Sequence, residues 1–388
     1  MITLISILPL YILGWFCAKF CLGDRLLREK SELPAKYWQI DGLRFFLAFS
    51  VFLSHTFIIR EYVVTGRWAL TDDKVATFLG QGGVSLFFII TAFLFWDKAM
   101  RQPLKFDAVE FFIGRIRRLA PAYLIVAVPF IILSLIQIPF FSPSIIKEVF
   151  QTLGLGYFRS VNIGVAHLSP AYTGVFWTLF YEWKFYFFLP VLYILLRFKN
   201  ALTLTASLAS LVLLTSSILD IGLSKDWPFI SLFASGILSA TIYNSKYFEE
   251  LRCSQYLVGA IFIGSILFHI FSFSGESYYG ASHPTLFFIT FLALLKIEKT
   301  SIIGRVFLGA PTILLGSASY SLYVAHGFII SALSILFYSL FGVFSNTVFY
   351  IFSIGSTCLV SLLSIALYRY IELPYAFRKP LPQGVPST

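Results

Sequence analysis

Arg44 and His55 stand eleven residues apart in one apolar segment that runs from Ile40-Asp41-Gly42-Leu43-Arg44 to Ser54-His55. On an α-helix, eleven steps return a side chain to within about 20° of where it began. The pair therefore shares one face, about 16 Å apart along the axis. A guanidinium and an imidazole are costly to bury in lipid, so within such a segment they read as functional. An imidazole titrates near neutrality, which suits taking a proton from a hydroxyl. Arg44 lies close to the segment's start, where a topology signal would look the same, and both readings stay open for it. Asp41, three residues earlier, is placed to pair with it.

Four other stretches carry groups capable of chemistry. Trp177-Thr178-Leu179-Phe180-Tyr181-Glu182-Trp183-Lys184-Phe185-Tyr186 sets a carboxylate and an ammonium among aromatics. The two charges are two residues apart and do not face each other on a helix. Glu182 is expected to pair with an arginine, lysine or histidine across a bundle. Gly114-Arg115-Ile116-Arg117-Arg118-Leu119-Ala120-Pro121 crowds three guanidiniums at what reads as a helix start, with Pro121 in the first turn. Those arginines suit either orientation and anionic lipid, or the phosphates of a nucleotide-bearing cosubstrate. Gly80-Gln81-Gly82-Gly83-Val84-Ser85-Leu86-Phe87-Phe88 reads as a glycine-rich helix entrance, suited to close helix packing or to a ligand held on backbone amides. Ser319-Tyr320-Ser321-Leu322-Tyr323-Val324-Ala325-His326 places Tyr320, Tyr323 and His326 on one broad face. Among the remaining histidines, His167 and His283 fall in polar connections and His269 in an apolar run. The sequence has no HExxH, GxSxG or P-loop pattern and no ligand cluster for a metal.

The elements that must position these groups are membrane helices. Hydrophobic residues make up 58% of the 388, charged residues only 12%, and mean hydropathy is +0.83. A soluble domain carries about 25% charge. Eleven apolar segments are long enough, or nearly so, for a bilayer core: 2–22, 40–59, 79–96, 119–138, 175–196, 201–219, 227–243, 255–273, 282–296, 312–338 and 345–368. The ninth is short and the tenth long. The first lacks a basic leader region and a small-residue cleavage site, so it is expected to be a retained helix. The fold class is therefore an all-α polytopic membrane protein with about eleven transmembrane helices.

The net charge of +10 raises the question of nucleic acid, and its distribution answers it. Alternating connections hold 20 lysines and arginines on one side and 6 on the other. That is a positive-inside bias, which predicts a plasma (inner) membrane protein with its N-terminus outside and C-terminus in the cytoplasm. No nucleic-acid partner is expected. Four cysteines without metal spacing make a disulfide framework improbable.

Taken in order, these stretches resemble the integral-membrane acyltransferase-3 family, the polytopic O-acyltransferases that modify surface polysaccharides. The matching pieces are Asp41 to Arg44 with His55, Gly83 to Phe88, Arg115 to Arg118 with Pro121, Trp177 to Leu179 with Glu182 and Tyr186, and Tyr320 to Tyr323 with His326. Two departures stand out. The family usually has a Ser-Gly pair in its third helix where this chain has Thr91-Ala92, and its core usually has ten helices, which makes 1–22 an added one. The resemblance implies a first helix and linker at 1–36, a membrane acyltransferase domain at 37–376 and a cytoplasmic tail at 377–388.

What the resemblance implies for function is acyl transfer across the bilayer. The donor would be cytoplasmic acyl-CoA, with acetyl-CoA expected, used as a substrate with no bound cofactor. The acceptor would be a hydroxyl of an extracytoplasmic carbohydrate. Arg115, Arg117 and Arg118 would hold the donor's phosphates. Ser85, Tyr186, Tyr320, Tyr323 and His326 are further candidates for contact with substrate. His55, Arg44 and Glu182 are the catalytic candidates. His55 would act as a general base or carry the acyl group transiently, Glu182 would orient His55 or fix its charge, and Arg44 would bind the donor or stabilise negative charge. A transporter or flippase of a sugar-containing or small solute is the alternative reading, and a glycan polymerase a third.

Overall fold

The computed structural model describes residues 2–21, 36–103, 105–137, 142–158, 163, 169–198, 200–218, 226–272, 283–342 and 344–376. Most of the linker, the tail 377–388 and His167 lie outside the described residues. Among those described there is no strand. The helices are α1 Ile2–Cys21, α2 Trp38–Thr65, α3 Lys74–Arg101, α4 Ala108–Gln137, α5 Pro143–Leu153, α6 Ser169–Leu195, α7 Ala201–Ile218 and α8 Trp227–Tyr243. They continue with α9 Lys246–Glu250, α10 Gln255–Ser272, α11 His283–Leu294, α12 Ile302–Phe307, α13 Ala310–Ser317, α14 Ser319–Phe341 and α15 Asn346–Leu367. A π-helical turn, Tyr368–Glu372, then leads into α16, Leu373–Ala376. Among the described residues six helices, α2, α3, α4, α10, α14 and the run from α15 to Tyr375, are long and apolar enough to cross a membrane, beside shorter apolar helices.

Local chemistry sets the ends. Asp73 caps α3 by accepting from the Val75 and Ala76 amides. Gly66 and Gly342 close α2 and α14 in left-handed conformations, at φ 70° and 68°. Asp107 accepts from the amides of Val109 and Glu110, and this moves the start of α4 well upstream of the arginines. Arg115, Arg117 and Arg118 are therefore helical residues, and Pro121 sits inside α4 instead of in its first turn. The glycines at 80–83 are likewise interior to α3, so their amides belong to the helix and not to an open entrance.

The long tenth segment is two helices. The chain breaks at Ala318 within Gly316-Ser317-Ala318-Ser319, a run of small residues of the kind at which helices bend. Close helix crossings hold the centre together. A Cβ on Gly83 would lie 2.9 Å from the Leu47 carbonyl oxygen of α2. One on Gly236 of α8 would lie 2.4 Å from the Ile89 oxygen and 2.6 Å from the Ala92 Cβ of α3. Small residues at such points let backbones meet where lipid offers no hydrophobic drive for association. At the periphery α1 packs along α15 and α13. Its Tyr11 hydroxyl lies 2.5 Å from Ser50 Oγ of α2.

Gly236→Val should force α8 away from α3. A cost of about 1–3 kcal/mol is expected from overpacking, read as a lower thermal midpoint of the solubilised protein. Gly259→Val, at a position with open space around it, should cost far less.

Candidate functional site

Helices α2, α3, α4, α6 and α14 enclose a cavity of about 330 Å³ at the end of the bundle where Arg44 lies. Its lining includes Arg44, Lys98, Arg115, Arg118 and a single carboxylate, Glu182. Four cations against one anion make it a receptor for negative charge. Tyr186 donates to Glu182 at 2.9 Å, which holds the carboxylate toward the arginines. Arg115 and Arg118 are one turn apart and share a face, whereas Arg117 points off that face and is exposed. The Arg115 guanidinium lies over Phe95 and Phe111, at 5.0 and 5.7 Å from their ring centres. Its buried Nε has no hydrogen-bond partner among the described residues, an unmet donor that an anionic ligand would satisfy.

The cavity grows less polar with depth. Lys98, Phe95 and Leu94 belong to the last turns of α3, and Thr91, Phe87 and Val84 line it further in. Tyr323 and Thr178 close the far end. Thr178 Oγ1 lies 2.5 Å from the Tyr323 hydroxyl, which donates to the Val175 carbonyl at 2.5 Å. Tyr320 donates to the Leu119 carbonyl at 2.8 Å and so ties α14 to α4 beside Arg118.

Beyond this partition the two helices bring His55 and His326 together. His326 Nε2 lies 3.3 Å from His55 Nδ1, and the ring of Tyr323 is 5.8 Å from that of His326. Each Nδ1 also faces the carbonyl four residues earlier, Val51 at 2.8 Å and Leu322 at 3.2 Å. A carbonyl only accepts, so both Nδ1 atoms are assigned the proton and both Nε2 atoms a lone pair. His326 Nε2 accepts a share of the His55 proton, leaving His55 Nε2 as the available base. His326 is fully buried while His55 is only partly so. Trp68, from the connection after α2, stacks on the His55 ring at 5.9 Å and 19°, and packs against Gly174 of α6.

The expected residues thus fall into groups. Arg44, Arg115, Arg118, Glu182, Tyr186, Tyr320 and Tyr323 line one cavity. Glu182 is placed with the arginines, not beside His55. His55 and His326 form a separate pair behind Tyr323. Arg117 and Ser85 lie away from both, Ser85 donating to the Gln81 carbonyl and bonded to His283 at 2.8 Å. Lys184 pairs with Asp226 at 2.8 Å, on another side of α6 from Glu182. Lys98 and Thr178 were not singled out from the sequence. Lys98 looks like any basic residue at a helix end; it is exposed, and only tertiary placement sets it in the cavity's lining. Among the described residues no cluster of His, Cys, Asp and Glu could hold a metal ion.

A family model described as "Acyltransferase domain" matches residues 37–366. The chain belongs to this acyltransferase family. The order of motifs from Arg44 to His326 predicted that membership, and it favours an enzyme over a transporter. The chain is also 23% identical over 376 residues to the O-acetyltransferase OatA of Staphylococcus aureus strain NCTC 8325 / PS 47, and equally to those of strains COL and MRSA252. Each alignment covers 89% of this chain and 58% of the relative, so the chain spans less than two thirds of their length. No solved structure matches it.

Tyr323→Phe removes the hydroxyl that links α14 to α6. It is expected to cost about 0.5–1.5 kcal/mol, the net value of one hydrogen bond, because the Val175 carbonyl keeps its helical partner. A thermal melt of the purified protein checks this.

Proposed function

We propose that the protein is a membrane O-acetyltransferase. Its donor is acetyl-CoA, bound at the basic end of the bundle, which faces the cytoplasm. Its acceptor is a hydroxyl of a carbohydrate on the opposite side. The observation that carries the reading is two unlike sites in one bundle: a cavity of four cations and, behind its Tyr323 wall, an imidazole pair. Guanidinium forks suit phosphates, which are the anionic part of the donor. The stripe from Arg44 to His55 runs about 16 Å along α2, similar in scale to an extended pantetheine arm. The relatives' printed name, O-acetyltransferase, supports the same chemistry.

Arg44, Lys98, Arg115 and Arg118 hold the donor's phosphates, and Glu182 with Tyr186 keeps the guanidiniums apart and oriented. The thioester end reaches the Tyr323 partition. His55 Nε2 takes the proton as the acceptor oxygen attacks the thioester carbonyl. The C–O bond forms, the C–S bond breaks, and the thiolate leaves and regains a proton. In the variant route, His55 Nε2 attacks the thioester carbonyl first and the thiolate leaves; the acyl-imidazole then gives its acetyl group to the acceptor oxygen as the C–N bond breaks, and the hydroxyl proton passes through His55 Nε2 to the thiolate. His326 accepts from His55 Nδ1–H in either route and steadies the positive charge that develops on the ring. Arg117 and Ser85, outside the cavity, have no direct part.

His55→Ala should lower kcat by about 10²–10⁴-fold with the protein still folded. Arg118→Ala should raise the KM for acetyl-CoA about tenfold, the loss of one charge-assisted bond, while Arg117→Ala stays within about twofold. Transfer of labelled acetyl to the acceptor measures all three. Mass spectrometry of surface glycans with and without the protein should show a difference of one acetyl group per modified sugar. Unchanged glycans that redistribute across the membrane would support a transporter instead.

A further inference from the structure

Glu372 looks, in sequence, like part of a polar stop after the last apolar run. The structure buries it to 2% exposure. A carboxylate is almost never so buried unless it is paired. It sits on the π-helical turn Tyr368–Glu372, which packs against α4, α14 and α15. Ser321, itself fully buried, donates to Glu372 Oε2 at 2.8 Å. Ser321 follows Ser319 and Tyr320, both of which line the cavity, and Tyr320 is bonded to the backbone of Leu119, next to Arg118. Glu372 does not line the cavity but stands behind its wall. The turn that carries Glu372 packs on α4, the helix of Arg118, and of the two guanidiniums that act on its charge Arg118 is the stronger and Arg44 the weaker.

The geometry points to Glu372 as a positioning residue: a buried counter-charge that holds Arg118 and Arg44 in place for the donor's phosphates. This rests on the donor-binding reading of the cavity. The reasoning is electrostatic. Guanidiniums gathered without ligand repel one another, and Glu182 alone balances only part of their charge. A carboxylate fixed behind them offsets the rest without occupying the anion's place. Ser321 sets its direction, and the wider π turn brings the side chain inward, an irregularity often found at functional sites. Glu372 touches no reacting atom, so its effect falls on donor affinity.

The test is calorimetric binding of coenzyme A to the full chain in lipid nanodiscs, with KM and kcat for acetyl-CoA measured alongside. Glu372→Gln keeps the shape and removes the charge. It should weaken coenzyme A binding about tenfold and raise KM by a similar factor, with kcat changed less than threefold. Glu372→Asp should recover part of the affinity. Combined with Arg118→Ala, Glu372→Gln should add little, because the two act as one unit. A purely structural carboxylate would lower the thermal midpoint and leave the affinity of the folded fraction unchanged, and that result overturns the inference. If Glu372→Gln does not fold, Ser321→Ala decides: binding should weaken about threefold, and unchanged binding overturns the proposal. If Arg118→Ala binds coenzyme A as tightly as wild type, the donor site itself is misplaced and both readings fall. Weak binding by Arg118→Ala beside normal binding by Glu372→Gln removes the inference alone.

Discussion

Burying positive charge inside a membrane bundle is the constraint around which the rest is arranged. A guanidinium at bilayer depth is tolerated only where it faces a partner or an aqueous cavity. Here Arg44, Arg115 and Arg118 come from two helices and meet at one cavity, with Glu182 on α6 and Glu372 behind the wall as the opposing charges. That arrangement requires α2, α4, α6, α14 and the π turn to converge at one end. The close glycine crossings fix α3 against α2 and α8, and the Tyr320 bond to Leu119 locks α14 to α4. At the other end the same helices part just enough to seat two imidazoles and a tryptophan.

The partition between the ends matters as much as the ends. Tyr323 is bonded to α6 through Thr178 and Val175 and lies beside His326. It separates the basic cavity from the imidazole pair. In the proposed reaction only a slender acyl-bearing arm needs to pass this point. Hydrolysis of the donor competes less when the base is out of water's way.

Much of the fold was legible in the sequence, because lipid leaves a chain few options. Every backbone group must be satisfied within its own segment, so long apolar runs become helices: ten of the eleven runs each fall on one helix of the structure, and the tenth on two. The family was legible from motif order, and residues 37–366 match its model. Three things were not legible. The arginine run looked like a helix start because the Asp107 cap carries a weaker signal than three guanidiniums. The meeting of His55 with His326 joins residues 271 apart, and no local pattern encodes that contact. Glu372 falls in a short amphipathic stop after the last apolar run, and only the packing of the π turn shows that it is buried. At the Thr91-Ala92 departure the helices cross closely, since a Cβ on Gly236 of α8 would lie 2.6 Å from the Ala92 Cβ.

The central claim is transfer from a donor at the arginine end to an acceptor at the histidine end. Proteoliposomes with the protein in one orientation separate the two compartments. Labelled acetyl-CoA is supplied only on the side of Arg115 and Arg118, and the acceptor glycan only on the side of His55. The account predicts acetyl ester on the glycan in the opposite compartment, and none when the protein carries His55→Ala. Ester that forms only when donor and acceptor share a compartment would contradict it.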